Sequence, residues 1–192
     1  MNEDPNPPAA SGTLPWTRSC FVCGQDNPHG LRLKSRVEGG LVVIDYTVRD
    51  ADRGYRHIMH GGIAMTLLDE VMTWAAILAA RRPCVAAEVT VRLRRPIEVG
   101  ETLRIEGDVQ GGKSRLILAR GRVRDGNGDV RATAAGKYVP MPPGQVALCE
   151  KDFVRSAGAM SPESVFSCGP AHGSAGHAGG ETEPLAPPDI AL

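Results

Sequence analysis

One stretch limits what this chain can fold into more than any other. From Gly61 to Ala80 it reads GGIAMTLLDEVMTWAAILAA, rich in Ala, Leu and Met, which are strong helix formers. On a helical wheel the apolar side chains fall on every face rather than along one stripe. The longest apolar run within it, Val71 to Ala80, is interrupted by Thr73 and is too short to span a bilayer. Such a helix must be enclosed by the rest of the domain. Arg81, Arg82 and Pro83 stop it, placing basic residues at the negative end of its dipole.

The flanking sequence supplies a wrapping layer. Leu31–Glu38 and Leu41–Val48 read as strands joined by Gly39-Gly40, a hairpin dipeptide. A polar loop, Arg49–Met59, leads to the helix. After it, Val85, Ala87, Val89, Val91 and Leu93 alternate with polar residues, the period of a strand with one covered face. Leu103–Val109 repeats the pattern, Gly111-Gly112 reads as a turn, and Arg115–Arg124 and Val130–Val139 follow, joined by Asp125-Gly126-Asn127-Gly128. The order is strand, strand, buried helix and a four-stranded meander, an α+β antiparallel sheet around one long helix.

Composition sets the domain limits. The chain has 192 residues, enough for one domain with extensions. Residues 1–17 and 141–192 are rich in Pro, Gly, Ala and Ser, and read as a disordered N-terminal extension and a mostly disordered C-terminal tail, with one short helix possible around Gln145–Arg155. The domain is assigned to residues 18–140. The net charge is zero, which argues against a nucleic-acid binder. The terminal segments together carry −6, however, so the region from Arg18 to Pro140 carries +6. That basic balance suits an anionic ligand and equally suits arginines covering strand faces. Five cysteines at irregular spacing make no disulfide framework, and no segment reads as a signal peptide, so a cytoplasmic protein with reduced thiols and no membrane association is expected.

The apolar helix is broken once, by Asp69-Glu70. A buried carboxylate costs several kcal/mol unless it is paired or hydrogen-bonded. Asp69 lies two turns beyond Gly62 on nearly the same face, whereas Glu70 points about 100° away. Either acid could serve an ion pair with Arg92, Arg94 or Arg95, or could serve chemistry. The helix opens on His60-Gly61-Gly62. Its first turn offers unsatisfied N–H groups and the positive end of the dipole, and glycine leaves them open to a ligand. An oxygen gaining negative charge could be held there; a tight turn would use the same glycines.

Together HGGIAMTLLDE, VRLRRPIEVGE and CFVCGQDNPHGLRL resemble hotdog-fold acyl-CoA thioesterases of the phenylacetate-pathway (PaaI-like) type, over roughly Arg18 to Pro140. The resemblance implies a long helix wrapped by an antiparallel sheet, edge-to-edge pairing into a homodimer or homotetramer, and active sites between protomers. It implies hydrolysis of an acyl-CoA or acyl-carrier-protein thioester without cofactor or metal. The Gly61 N–H would polarise the thioester carbonyl, Asp69 of the partner subunit would act as general base or nucleophile, and His60 would stand beside the carbonyl. Gly62, Glu70, Arg94 and Arg95 are assigned to substrate binding, the two arginines toward coenzyme A phosphates. Many relatives place Ser or Thr near Ala86, facing the acid; Ala86 and Ala87 carry no hydroxyl, so Glu70, Glu88 or His57 would have to position water. A non-catalytic acyl-CoA-binding module is the alternative, and an enoyl-CoA hydratase ranks below both.

Other motifs carry less. Cys20-x-x-Cys23 with His29 lacks a second pair to complete a zinc set, and Cys84 is distant in sequence. The pair precedes a hairpin rather than opening a helix, which argues against a redox role. His172 and His177 have no Cys or carboxylate clustered around them. Cys84, Met72 and Trp74 read as core.

Overall fold

The structure, a computed structural model, describes residues 11–166. Seven strands form one antiparallel sheet in the order β1-β2-β3-β7-β8-β9-β6. They are β1 (Gly12–Thr13), β2 (Arg36–Glu38), β3 (Leu41–Thr47), β6 (Cys84–Leu93), β7 (Thr102–Lys113), β8 (Leu116–Arg124) and β9 (Val130–Pro140). A small hairpin, β4 (Arg53–Tyr55) and β5 (Ile58–Met59), precedes the central helix α1 (Gly61–Ala80). This is the α+β hotdog arrangement that the periodicity and the resemblance imply. By length and composition α1 could cross a membrane, but here it lies in the concave face of the sheet, against β3, β6, β7, β8 and β9.

The sheet accepts the helix because its inner face is small where the two approach. A Cβ on Gly107 of β7 would lie 2.7 Å from the Val71 backbone, and one on Gly121 of β8 would lie 3.0 Å from Leu68. Gly107 and Gly121 face each other across the ladder. Around them Ile44, Leu103, Ile105, Val123 and Ala132 close over Leu67, Leu68, Val71 and Met72, all essentially without solvent contact. Enclosure is incomplete along one stripe. Met65 is 43% exposed, and Gly62 and Asp69, on the same side, are half-buried.

The structure departs from the sequence reading in several places. Gly111 and Gly112 do not form a turn: they end β7 just beyond a bulge between Val109 and Gly111, and the reversal falls at Ser114-Arg115. Gly112 has φ +130°, and a Cβ there would lie 2.3 Å from the Leu116 carbonyl. Only Arg36–Glu38 of the first expected strand is β. Its earlier half donates to a preceding loop instead, Leu31 N–H to the Phe21 carbonyl and Leu33 N–H to that of Val22.

The domain also extends beyond 18–140. Before it, Leu14 and Trp16 are buried and β1 joins the sheet edge. After it comes α2 (Pro143–Glu150), and α3 (Pro162–Phe166) then returns the chain to α1. Phe153 packs edge-on against Trp74 and Phe166, with ring centroids 5.9 Å and 5.0 Å away. The two flanks meet each other as well: Val154 N–H donates to the Trp16 carbonyl and Met160 N–H to that of Thr13. Residues 12–17 and 141–166, expected to be disordered, are therefore folded onto the core, because their few large apolar side chains cover the end of α1. His172 and His177 lie outside the described residues.

Candidate active site

The start of α1 is held in place from below. Asp52 is buried ahead of the β4–β5 hairpin, where it receives hydrogen bonds from the Tyr46 hydroxyl and from the backbone and guanidinium of Arg49. Its own carbonyl accepts the His60 N–H at 2.8 Å, and Met59 N–H bonds to the Ile97 carbonyl. Burial alone would raise the Asp52 pKa, but the bonds from Arg49 and Tyr46 outweigh it and hold the carboxylate below its ordinary range.

His60 is the N-cap of α1. Its Nδ1 accepts the Gly62 N–H at 2.9 Å, and its carbonyl accepts that of Ile63. The Gly61 N–H, by contrast, meets no acceptor among the described residues. A Cβ on Gly61 would lie 2.7 Å from the terminal methyl of Leu93, so a side chain there would have to push Leu93 aside. Beside it opens a cleft of about 370 Å³, whose walls include Tyr55, Met59, His60, Gly61, Arg94 and Arg95. A free amide at the positive end of a 20-residue helix thus borders a largely apolar cavity.

The two arginines of that wall differ. Arg95 makes a long, exposed contact to Asp129 at 3.4 Å, while Arg94 makes no ion pair among the described residues. Their backbone is fixed by Arg131. The Arg131 carbonyl accepts both N–H groups, and its guanidinium binds Asp125, Glu101 and the Pro96 carbonyl.

Asp69 is not clasped by an arginine. Its Oδ1 accepts the Tyr138 hydroxyl at 2.8 Å. Tyr138 is completely buried, and its hydroxyl pKa is raised by burial and by the Asp69 charge. The ring lies over Gly136, where a Cβ would come within 2.6 Å. Tyr138 is also the β9 residue paired with Ala86, next to a bulge in β6 between Ala86 and Glu88. A hydroxyl therefore reaches the acid from the strand beside Ala86. The sequence reading missed it, because Tyr138 reads as an ordinary strand residue until the register is known.

The remaining candidates scatter. Gly62 lies at the helix start, but its amide is committed to His60. Glu88 pairs with Lys137 at 2.8 Å, and His57 is exposed. Glu70 lies away from the cleft wall. Its carboxylate accepts the Trp74 indole N–H at 3.1 Å and sits with the thiols of Cys20 and Cys23. Burial pushes the Glu70 pKa up to about 7, and the Cys20 charge adds to this against the opposing bonds from Trp74 and Cys23. Within the cysteine pair, the Cys23 thiol donating to Cys20 lowers the Cys20 pKa and raises its own.

The comparisons bear on the fold that carries these residues. The thioesterase superfamily model matches residues 57–132, from the hairpin before α1 into β9. A crystal structure of a thioesterase superfamily protein is 25% identical with a TM-score of 0.58, over 64% of this chain and 60% of that one. The E. coli PaaI protein of the phenylacetic acid degradation operon is 22% identical with a TM-score of 0.52, over 57% of this chain and 78% of that one. An acyl-CoA hydrolase from Staphylococcus aureus, in complex with butyryl coenzyme A, is 22% identical with a TM-score of 0.51, over 54% and 65%. No curated protein matches in sequence. The thioesterase superfamily match over residues 57–132 and the shared helix and sheet give this chain the hotdog fold and a likeness to PaaI-like thioesterases.

Proposed function

We propose that the protein hydrolyses an acyl-CoA thioester to a free acid and coenzyme A. The observation that carries this reading is the unpartnered Gly61 amide at the helix N-terminus, bordering an apolar cleft flanked by Arg94 and Arg95. A thioester carbonyl placed there would be polarised by that amide and by the helix dipole. The acyl chain would occupy the cleft, and the arginines would meet the phosphates. A water would lose a proton to Asp69 as its oxygen attacks the carbonyl carbon. The resulting oxyanion would accept the Gly61 N–H, and its collapse would break the C–S bond and release the thiolate, which takes up the proton.

Helix geometry argues that the acid and the amide of one site belong to different protomers. Gly61 and Asp69 are eight residues apart, about 12 Å along the axis. One carbonyl cannot touch both in a single chain. The incompletely covered stripe of half-buried Gly62 and Asp69 with exposed Met65, and the exposed apolar side chains on β6, fit a homodimer that supplies Asp69 of the partner subunit. The Tyr138 hydroxyl takes the orienting role that a Ser or Thr at Ala86 would have filled.

Thiol release from a panel of acyl-CoAs, with acyl-carrier-protein thioesters alongside, tests the reading. Wild type should turn over at least one of them, and Asp69→Asn should lose about 100-fold or more in kcat. Full turnover by a folded Asp69→Asn variant would remove the acid from the mechanism. Binding of acyl-CoA by wild type without thiol release would make the protein a binding module instead.

A further inference from the structure

The mechanism leaves unused a second cluster, on the side of α1 away from the cleft. One donor atom from each of Cys20, Cys23 and Glu70 lies within 4.8 Å of the other two. We propose that this cluster is a binding site for a thiophilic divalent cation of the zinc class, held by two thiolates and one carboxylate with a fourth position open to water.

The surroundings are those of a built site. Residues 20–24 turn so tightly that Gly24 N–H bonds to the Cys20 carbonyl at 3.0 Å, and a Cβ on Gly24 would lie 2.3 Å from that oxygen. The turn aims both sulfurs the same way. Val22 N–H donates to Cys20 Sγ at 3.3 Å, and Thr17 Oγ1 lies 3.9 Å from Cys23 Sγ. Bonds of this kind steady a metal-bound thiolate. Glu70 is oriented by the Trp74 indole, which occupies one oxygen and leaves the other for a cation. Cys23 is buried while Cys20 is partly open, so an ion has a way in.

The separations suit the chemistry. Zinc binds thiolate sulfur at about 2.3 Å and carboxylate oxygen at about 2.0–2.2 Å, so donors around one tetrahedral ion lie about 3.6–3.8 Å apart, a spacing that small side-chain rotations give to donors no more than 4.8 Å apart. Two sulfur donors beside a single carboxylate favour zinc over hard cations such as magnesium or calcium. The sequence alone shows only two ligands of this set. The third, Glu70, comes from the helix 47 residues later. The cation would fasten the loop of residues 18–33 to α1 one residue from Asp69, leaving two thiolates, one carboxylate and the ion with a single net negative charge. This role is independent of thioester hydrolysis.

The full-length protein, purified without chelator, should carry one zinc per chain by elemental mass spectrometry. Cobalt substitution should give a thiolate-to-cobalt charge-transfer band and the intense visible bands of a tetrahedral ion. Cys20→Ser and Cys23→Ser should abolish the charge-transfer signature, and the isosteric Glu70→Gln should weaken affinity by more than the 10–100-fold that changes around a metal site ordinarily cost. A double His172→Ala/His177→Ala variant should keep its zinc, and added zinc should raise the melting temperature of wild type but not of Cys20→Ser. Protein that takes up no zinc under reducing conditions, that holds a Cys20–Cys23 disulfide instead, or that keeps its metal when Cys20 and Glu70 are changed would overturn the assignment.

Discussion

The contact between Tyr138 and Asp69 sets the acid's orientation, and it depends on a glycine two residues away. The ring can lie flat along β9 only because Gly136 has no side chain. Its hydroxyl then meets Asp69 Oδ1 at 2.8 Å. A hydrogen bond to a charged group contributes about 1.5–3 kcal/mol, so Tyr138→Phe should lower kcat by about 10–100-fold while leaving KM nearly unchanged. Gly136→Ala should act through the same bond. Its new methyl must displace the buried ring, so it should cost about 1–3 kcal/mol in a denaturant titration and lower kcat together with stability. A Gly136→Ala enzyme with wild-type kcat would show that the ring position does not govern the acid.

Among the elements, the loop before α1 and the segment after β9 were least legible in the sequence, for different reasons. Helix α1 and the strands β6 to β9 announce themselves by period, and the structure keeps these elements, although the Gly111-Gly112 dipeptide lies within β7 instead of turning the chain. The β4–β5 hairpin has only three and two residues, and Arg53, Gly54 and Tyr55 are all exposed, so no alternation betrays it. What holds that region is tertiary: Asp52 bonded to Tyr46 of β3 and to Arg49. Because its folded pKa is depressed, Asp52 contributes stability above its ordinary pKa of about 3.9, and that contribution is lost as pH falls through the lower folded value. Acid unfolding followed by circular dichroism should therefore show Asp52→Asn less stable than wild type at neutral pH, with the gap closing below about pH 4. In the C-terminal segment, Phe153, Val165 and Phe166 are diluted among small and polar residues, and composition hides them. Phe166 is buried against Phe153 and through it joins Trp74. Phe166→Ala should accordingly destabilise the domain by about 3 kcal/mol or more, and truncation after Pro140 should lower the melting temperature rather than leave it unchanged. The cluster of Glu70 with Cys20 and Cys23 was hidden for a third reason, since no local pattern reports which face of a buried helix a distant loop will cover.

At the scale of the whole molecule the proposed reaction calls for a second copy of the chain. Strand β6 forms one edge of the sheet, paired only with β9, and carries Val85 at 45% and Leu93 at 51% exposure. A ten-residue edge with apolar side chains invites pairing with a second copy. Sedimentation should find at least a dimer at micromolar concentration, and Val85→Lys should shift it toward monomer with loss of thioesterase activity. A stronger test separates sharing of the site from mere association. Gly61→Pro removes the N–H at the first helical position, where proline is tolerated, and disables the amide side of a site, whereas Asp69→Asn disables the acid side. Each variant alone should be nearly inactive. When the two are unfolded together and refolded at equal amounts, half the dimers carry one of each, and each mixed dimer regains one intact site of its two. Activity should then return to about one quarter of wild type. If amide and acid acted within one chain, no subunit in the mixture would hold both, and the mixture would stay as inactive as its components.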